Sequence, residues 1–232
     1  MLDNSLSPDI LLYTLLGGII PAVFWLKFWL RESTHQEPRG LIFGSFLGGM
    51  GVVFLALPIQ GLVNIFFFDN NFLSITLWAF SEELLKFGAA YFIAIRTRFA
   101  DEPIDATIYL ITAALGFAAL ENIFFVSESF FQGNVLHGLV TLNHRFVGAN
   151  LLHVISSGVI GISLGFAFYK SNFSKRIAGI IGLALATLLH TAFNSFIISN
   201  DQYMLVIFSA VWIGLIIVIL ILEQIKKVKH IV

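Results

Sequence analysis

Apolar residues in this chain run in long blocks, without the alternation of strands or the half-apolar periodicity of soluble helices. Seven blocks stand out: Ile10–Leu30, Leu41–Phe67, Phe72–Ile95, Pro103–Val126, Phe146–Tyr169, Ile177–Ile198 and Tyr203–Leu222. Each is near the ~20 residues with which a helix crosses a bilayer, satisfying its own backbone hydrogen bonds on the way. The pattern predicts an all-α, multi-pass helical bundle with about seven transmembrane helices. Most polar breaks are short: Arg31–Gly40, Arg96–Glu102, the basic Lys170–Arg176, and a closing group of Lys226, Lys227 and Lys229. Ser127–Arg145 is longer and mixed. With Phe130, Phe131, Leu136, Leu139 and Val140, it is expected either to lie in the interface as an amphipathic segment or to dip back into the protein.

Composition agrees with this reading. The 232 residues are 58% hydrophobic and only 12% charged, against about 25% charged for a soluble domain. The whole chain, 1–232, is expected to form one transmembrane domain in a cell membrane. A net charge of −1 argues against nucleic acid, and the absence of cysteine excludes disulfides, thiolate metal sites and a cysteine nucleophile. Met1–Asp9 has no Lys or Arg, so the first block is read as an uncleaved span and not a signal peptide. Placing the N-terminus outside puts Lys27, Arg31, Arg39, Arg96, Arg98, Lys170, Lys175, Arg176, Lys226, Lys227 and Lys229 at the inner side, and predicts an N-out, C-in topology. Trp25 and Trp29 are expected in an interfacial aromatic belt, Asp69 and Asp201 at outer turns, and His137 and His144 at the interface. His35 and His230 are expected to face solvent. Gly44-x-x-x-Gly48 and Gly161-x-x-x-Gly165 predict close helix packing.

Four blocks carry residues that a bilayer resists. The third has Glu82, Glu83 and Lys86, the fourth Glu121 and Asn122, the fifth His153, and the sixth His190 and Asn194. A charged side chain at membrane depth costs roughly 2.5 to 3.5 kcal/mol on insertion scales. At 1.5 Å per residue, and with the topology above, these groups lie roughly 8 to 16 Å below the outer surface on helices of opposite direction. Convergence at one depth predicts a shared, hydrated site. Lys86 is four residues from Glu82 and three from Glu83, so it can reach either. The two glutamates point about 100° apart, leaving open which of them faces the site.

Carboxylates and imidazoles without Cys or a serine motif point to water activation. Either Glu82 or Glu83 would act as general base, with Lys86 holding the pair. Glu121, His153 and His190 would orient the water or bind a metal such as zinc, for which two His and a carboxylate are a ligand set. Asn122 and Asn194 would assist an oxyanion, and Arg145 would position substrate at the mouth. There is no HExxH sequence, so a zincin-type site is absent. Two other readings use the same residues: a scaffold or immunity-type protein whose polar core holds helices together, and a proton-coupled transporter. The transporter predicts a polar path through both leaflets, whereas the inner halves of these blocks are nearly all apolar.

At these residues the sequence resembles the PrsW family of intramembrane proteases, within the wider group that includes type II CAAX proteases and bacteriocin-processing proteins. The resemblance runs from about Glu37 to Ser195. It rests on Glu37-Pro38, on Glu82-Glu83-x-x-Lys86, and on Asp105, Tyr109 and Gly116-Phe-Ala-Ala-Leu-Glu121-Asn122. Arg145 with His153, and His190-x-x-x-Asn194, complete the ordered set. The CAAX enzymes typically show EExxxR and FxxxH; this chain has Lys86 and Phe117-x-x-x-Glu121 instead. The resemblance implies a metalloprotease acting on a membrane-anchored protein, an anti-sigma factor in the family's best-known role.

Overall fold

A computed structural model describes residues 8–67, 71–131, 135–199 and 204–229, and the regular structure among them is all helical. The α-helices are α1 (Pro8–Trp29), α2 (Arg39–Phe67), α3 (Asn71–Ala90), α4 (Asp105–Phe131), α5 (Val135–His144), α6 (Asn150–Phe166), α7 (Asn172–Ser199) and α8 (Met204–Ile225). A π-helical turn, Tyr91–Ile95, extends α3, and a second, Arg145–Ala149, fuses α5 to α6. The described residues therefore make seven continuous rods, in register with the seven apolar blocks. Six are long and apolar enough to cross a membrane. The α3 rod has the length but carries Glu82, Glu83 and Lys86. Asp69, Asp201 and His230 lie outside the described residues.

Ser127–Arg145 departs from both expectations. Its first residues prolong α4 to Phe131, and from Val135 it is helix continuous with the next rod, so that Leu136–Phe166 forms a single 31-residue apolar span. The π turn is what permits this, since one widened turn absorbs a residue without ending the helix. Leu136, Leu139 and Val140 form an exposed apolar strip on that extension.

The rods arrange themselves around α4 and α6. Two thirds or more of their spans are buried, 67% and 72%, against 22–33% for the spans of α1, α2, α7 and α8. Ile108, Ile111 and Leu115 of α4 pack with Leu151 and Ile155 of α6, Trp29 of α1, and Val218 and Leu222 of α8. Lipid tails are as apolar as these side chains, so close packing and interhelical hydrogen bonds must hold the bundle. Gly49 and Gly116 show how close α2 and α4 come. A Cβ on Gly49 would sit 1.9 Å from the Ala113 carbonyl oxygen, and one on Gly116 would sit 1.9 Å from that of Phe46. The expected glycine pairs serve the same end: Gly44 and Gly48 face Ile93, while Gly161 lies against Thr107 and Gly165 against the Pro103 carbonyl.

Trp25 and Trp29 are not a membrane belt. Both are buried, Trp25 against Phe28, Phe146 and Trp212 and Trp29 against Phe28, because α1 packs along α4 and turns these rings inward. A second polar cluster closes the opposite end of the bundle from the intramembrane residues. Tyr109 donates its hydroxyl to Glu37, Asp105 accepts the Glu102 backbone N–H at 2.7 Å, and Thr34 and His35 both bond Glu102. Lys226 adds an ion pair to Glu32 at 2.9 Å. These contacts pin the α1–α2 connection over the start of α4. Twelve residues separate Tyr109 from Glu121, about 18 Å of helix, so this cluster is distinct from the site described next.

Candidate active site

The polar residues of four rods meet directly. Glu83, on α3, is fully buried, and its carboxylate accepts from three sides: Lys86 Nζ at 2.7 Å and His190 Nδ1 at 2.8 Å on Oε1, and Ser157 Oγ at 2.7 Å on Oε2. Lys86, equally buried, also donates to His153 Nδ1 at 2.8 Å and lies 3.8 Å from Glu82. Its ammonium rests 4.5 Å from the centre of the Phe117 ring, a cation–π contact that helps offset its desolvation. Burial of these charges is tolerable because each is paired and hydrogen-bonded.

The two adjacent glutamates have different environments. Glu82 is turned into a cavity of about 610 Å³ that it lines together with Gln60, Glu121, Arg145, His153, His190 and Asn194; Glu83 is not among its lining residues. Gln60 on α2 donates to Glu82 Oε1 at 2.8 Å, and the Gln60 carbonyl in turn accepts from the Trp78 indole. Glu82 Oε2 is buried without a hydrogen-bond partner, 3.7 Å from His190 Nε2. An orphaned buried carboxylate oxygen is costly and calls for a ligand or water.

Across the cavity stands Glu121. Its Oε2 accepts from Arg145 Nη2 at 2.5 Å and faces His153 Nε2 at 3.0 Å. Arg145 also donates through Nε to Asn122 and lies over the Phe125 ring, 4.1 Å from its centroid. Asn122 is fully buried and uses both ends of its amide, accepting from Arg145 and donating to Asn150 Oδ1 at 2.8 Å. It is not among the residues that line the cavity, so this geometry makes it a brace for Arg145. Asn194 does line the cavity. His144, expected at the interface, lines it too and packs on Phe208, because the π turn carries α5 over the mouth. His137 is exposed and bonds Ser129.

The donors fit a metal ion, though in a different set from the expected Glu121, His153 and His190. Among the described residues, Glu82, His153 and His190 bring one ligand atom each within 4.8 Å of one another. His190 gives Nδ1 to Glu83, which leaves its lone pair on Nε2, facing Glu82. Histidine ligands are typically oriented by such a carboxylate behind them. The rings of His153 and His190 meet edge to face, with centroids 5.1 Å apart. Glu121 is displaced from the set by its ion pair with Arg145.

Three contributors were not singled out in the sequence: Gln60, Asn150 and Ser157. Asn150, His153 and Ser157 share one face of α6 at i, i+3 and i+7, a polar stripe in an apolar helix that spacing alone could have revealed. Gln60 stands singly in its block and gives no such pattern.

This geometry can be set beside known proteins. The model of a family described as PrsW family intramembrane metalloprotease matches residues 37–222. The chain belongs to the PrsW family. Protease PrsW of Bacillus subtilis (strain 168) is 30% identical over 214 residues, covering 86% of this chain and 91% of the relative. Protease PrsW of Geobacillus kaustophilus (strain HTA426) is 26% identical over 223 residues, 92% of this chain and 90% of that one. No solved structure matches. As a PrsW-family member the chain is a peptidase, and its apolar rods make it a multi-pass protein of the cell membrane.

Proposed function

We propose that this chain is an intramembrane endopeptidase that hydrolyses a peptide bond of a membrane-anchored protein, with water activated at the Glu82–Glu121–His153–His190 cavity. The observation that carries this reading is the convergence of three metal-type donors and a fourth, Arg145-held carboxylate around one cavity. Glu82, His153 and His190 would hold the ion, with zinc the best match to a carboxylate and two imidazoles. When bound, zinc supplies an acidified water and polarises the scissile carbonyl.

The remaining roles belong to the chain's own groups. His153 has a partner on each ring nitrogen, so ligation through Nε2 requires the ring proton to move to Nδ1, which displaces the Lys86 hydrogen bond, and requires Glu121 to let go. Its carboxylate then faces the cavity as general base, kept in place by Arg145. Glu83, paired with Lys86, orients His190 from behind, and Gln60 holds Glu82. Asn194 is the cavity-lining amide available to an oxyanion. Phe117, Phe124, Phe193 and Ile197 give the cavity apolar walls that suit side chains of a membrane segment. A regulatory protein such as an anti-sigma factor is one substrate of this class. In the N-out orientation the site lies in the outer half of the bilayer.

Cleavage of any membrane-anchored substrate creates a new protein N-terminus, and mass spectrometry of such termini is the test. Membranes from cells producing the wild type are compared with membranes from cells producing Glu82→Gln. The proposal expects termini within or beside membrane segments that appear with the wild type only. Identical termini in both samples would overturn it.

A further inference from the structure

A second cavity, of about 1040 Å³, opens between the α3 rod, α6 and α7, on the other side of α3 from the candidate active site. Its volume is at the top of the roughly 300–1,000 Å³ range of small-molecule sites. Leu84, Phe87, Ile180 and Leu183 make its walls apolar, while Arg96, Lys175 and Arg176 gather at one end. None of these three cations forms an ion pair with a described carboxylate. Lys175 and Arg96 instead contact the Phe168 and Phe92 rings, at 5.2 and 5.8 Å from the centroids. The preference of cytoplasmic ends for Lys and Arg accounts for cations at this level of the bundle. It does not account for a cavity between helices whose apolar wall begins beside them.

Charge at one end and hydrocarbon along the rest is the complement of an anionic phospholipid. We propose that this cavity binds one such lipid, with its phosphate among Arg96, Lys175 and Arg176 and an acyl chain along α3 and α7. Basic pockets between transmembrane helices recognise anionic headgroups in this way. Gly88 lines the cavity, and a Cβ added there meets nothing within 4 Å. A larger side chain at that position fills the space without striking protein and leaves all three cations in place.

Native mass spectrometry of the detergent-solubilised protein tests this, with phosphatidylglycerol and phosphatidylcholine of the same acyl chains offered at equal concentration. The wild type should retain one phosphatidylglycerol in preference to phosphatidylcholine. A cation near an anionic headgroup is worth about fivefold in binding, so Arg96→Gln/Lys175→Gln/Arg176→Gln should weaken retention on the order of 100-fold. Gly88→Leu should abolish it with the charges intact, and this arm decides alone if the triple variant does not fold. Equal retention of both lipids, undiminished retention in Gly88→Leu, or displacement of the lipid by millimolar inorganic phosphate would each overturn the proposal. The last two results would mean diffuse attraction and a simple anion site, respectively.

Discussion

Lys86 is the buried cation on which the polar core depends, and its removal gives a prediction with a definite size. It is fully buried and donates to Glu83 and His153 at 2.7 and 2.8 Å. Lys86→Met keeps the length and apolar stem but leaves Glu83 without its counter-charge. Breaking a buried ion pair from one side costs about 3–5 kcal/mol. Glu83→Gln leaves Lys86 with Glu82 at 3.8 Å as its remaining carboxylate, and a loss of about 2–3 kcal/mol is expected on removing its charged hydrogen bonds. The double variant leaves neither charge stranded, so it should be more stable than the sum of the single effects by about 2–3 kcal/mol, the upper range of measured couplings. Equilibrium unfolding in mixed micelles of a mild detergent and SDS, followed by tryptophan fluorescence on all four proteins, measures this. Costs that add to within about 0.5 kcal/mol, as for independent sites, would refute the reasoning.

Further outcomes follow from the same geometry. Glu121→Gln should lower peptidase activity by roughly 100- to 10,000-fold, the usual range for losing a general base, with the protein still folded; retained turnover would remove Glu121 from that role. Gln60→Ala leaves Glu82 without its hydrogen bond and should reduce metal affinity or activity by about 10- to 100-fold, with a melting temperature close to wild type. Gly116→Val drives a side chain into the Phe46 carbonyl and should destabilise the bundle by more than the ~1–3 kcal/mol of ordinary overpacking, seen as loss of monodisperse protein. A Gly51→Val control faces open space and should behave like wild type.

Much of the architecture was legible in the sequence, and the parts that were not share a cause. The seven rods were readable because a bilayer demands continuous apolar length, and depth arithmetic then brought Glu82, Glu83, Glu121, His153 and His190 to one layer. Depth says nothing about rotation about a helix axis. Which glutamate faces the cavity therefore depended on packing: α3 lies so that Glu83 points at Ser157 and His190, and Glu82, held by Gln60, lines the cavity. The choice between Glu121 and Glu82 beside the histidines depended likewise on Arg145, which reaches Glu121 only because the π turn carries α5 into α6. A widened turn has no clear sequence signature, so residues 135–145 read as part of a break when they are helix continuous with α6. The buried Trp25 and Trp29 show the same limit: their position near a helix end suggested an interface, and only the packing of α1 on α4 turns them inward. The residues of the Glu37, Asp105 and Tyr109 motif elements bear on the other end of α4, where Tyr109 meets Glu37; motif membership alone did not distinguish them from the site.

The most direct test is the metal content of the purified protein, measured by inductively coupled plasma mass spectrometry on wild type, Glu82→Gln, His153→Ala, His190→Ala and Glu121→Gln. Close to one zinc per chain is expected in the wild type and in Glu121→Gln, and little in the other three. Zinc retained in the Glu82 and histidine variants, or lost only in Glu121→Gln, would contradict the assignment of Glu82, His153 and His190 as the donors of the hydrolytic site.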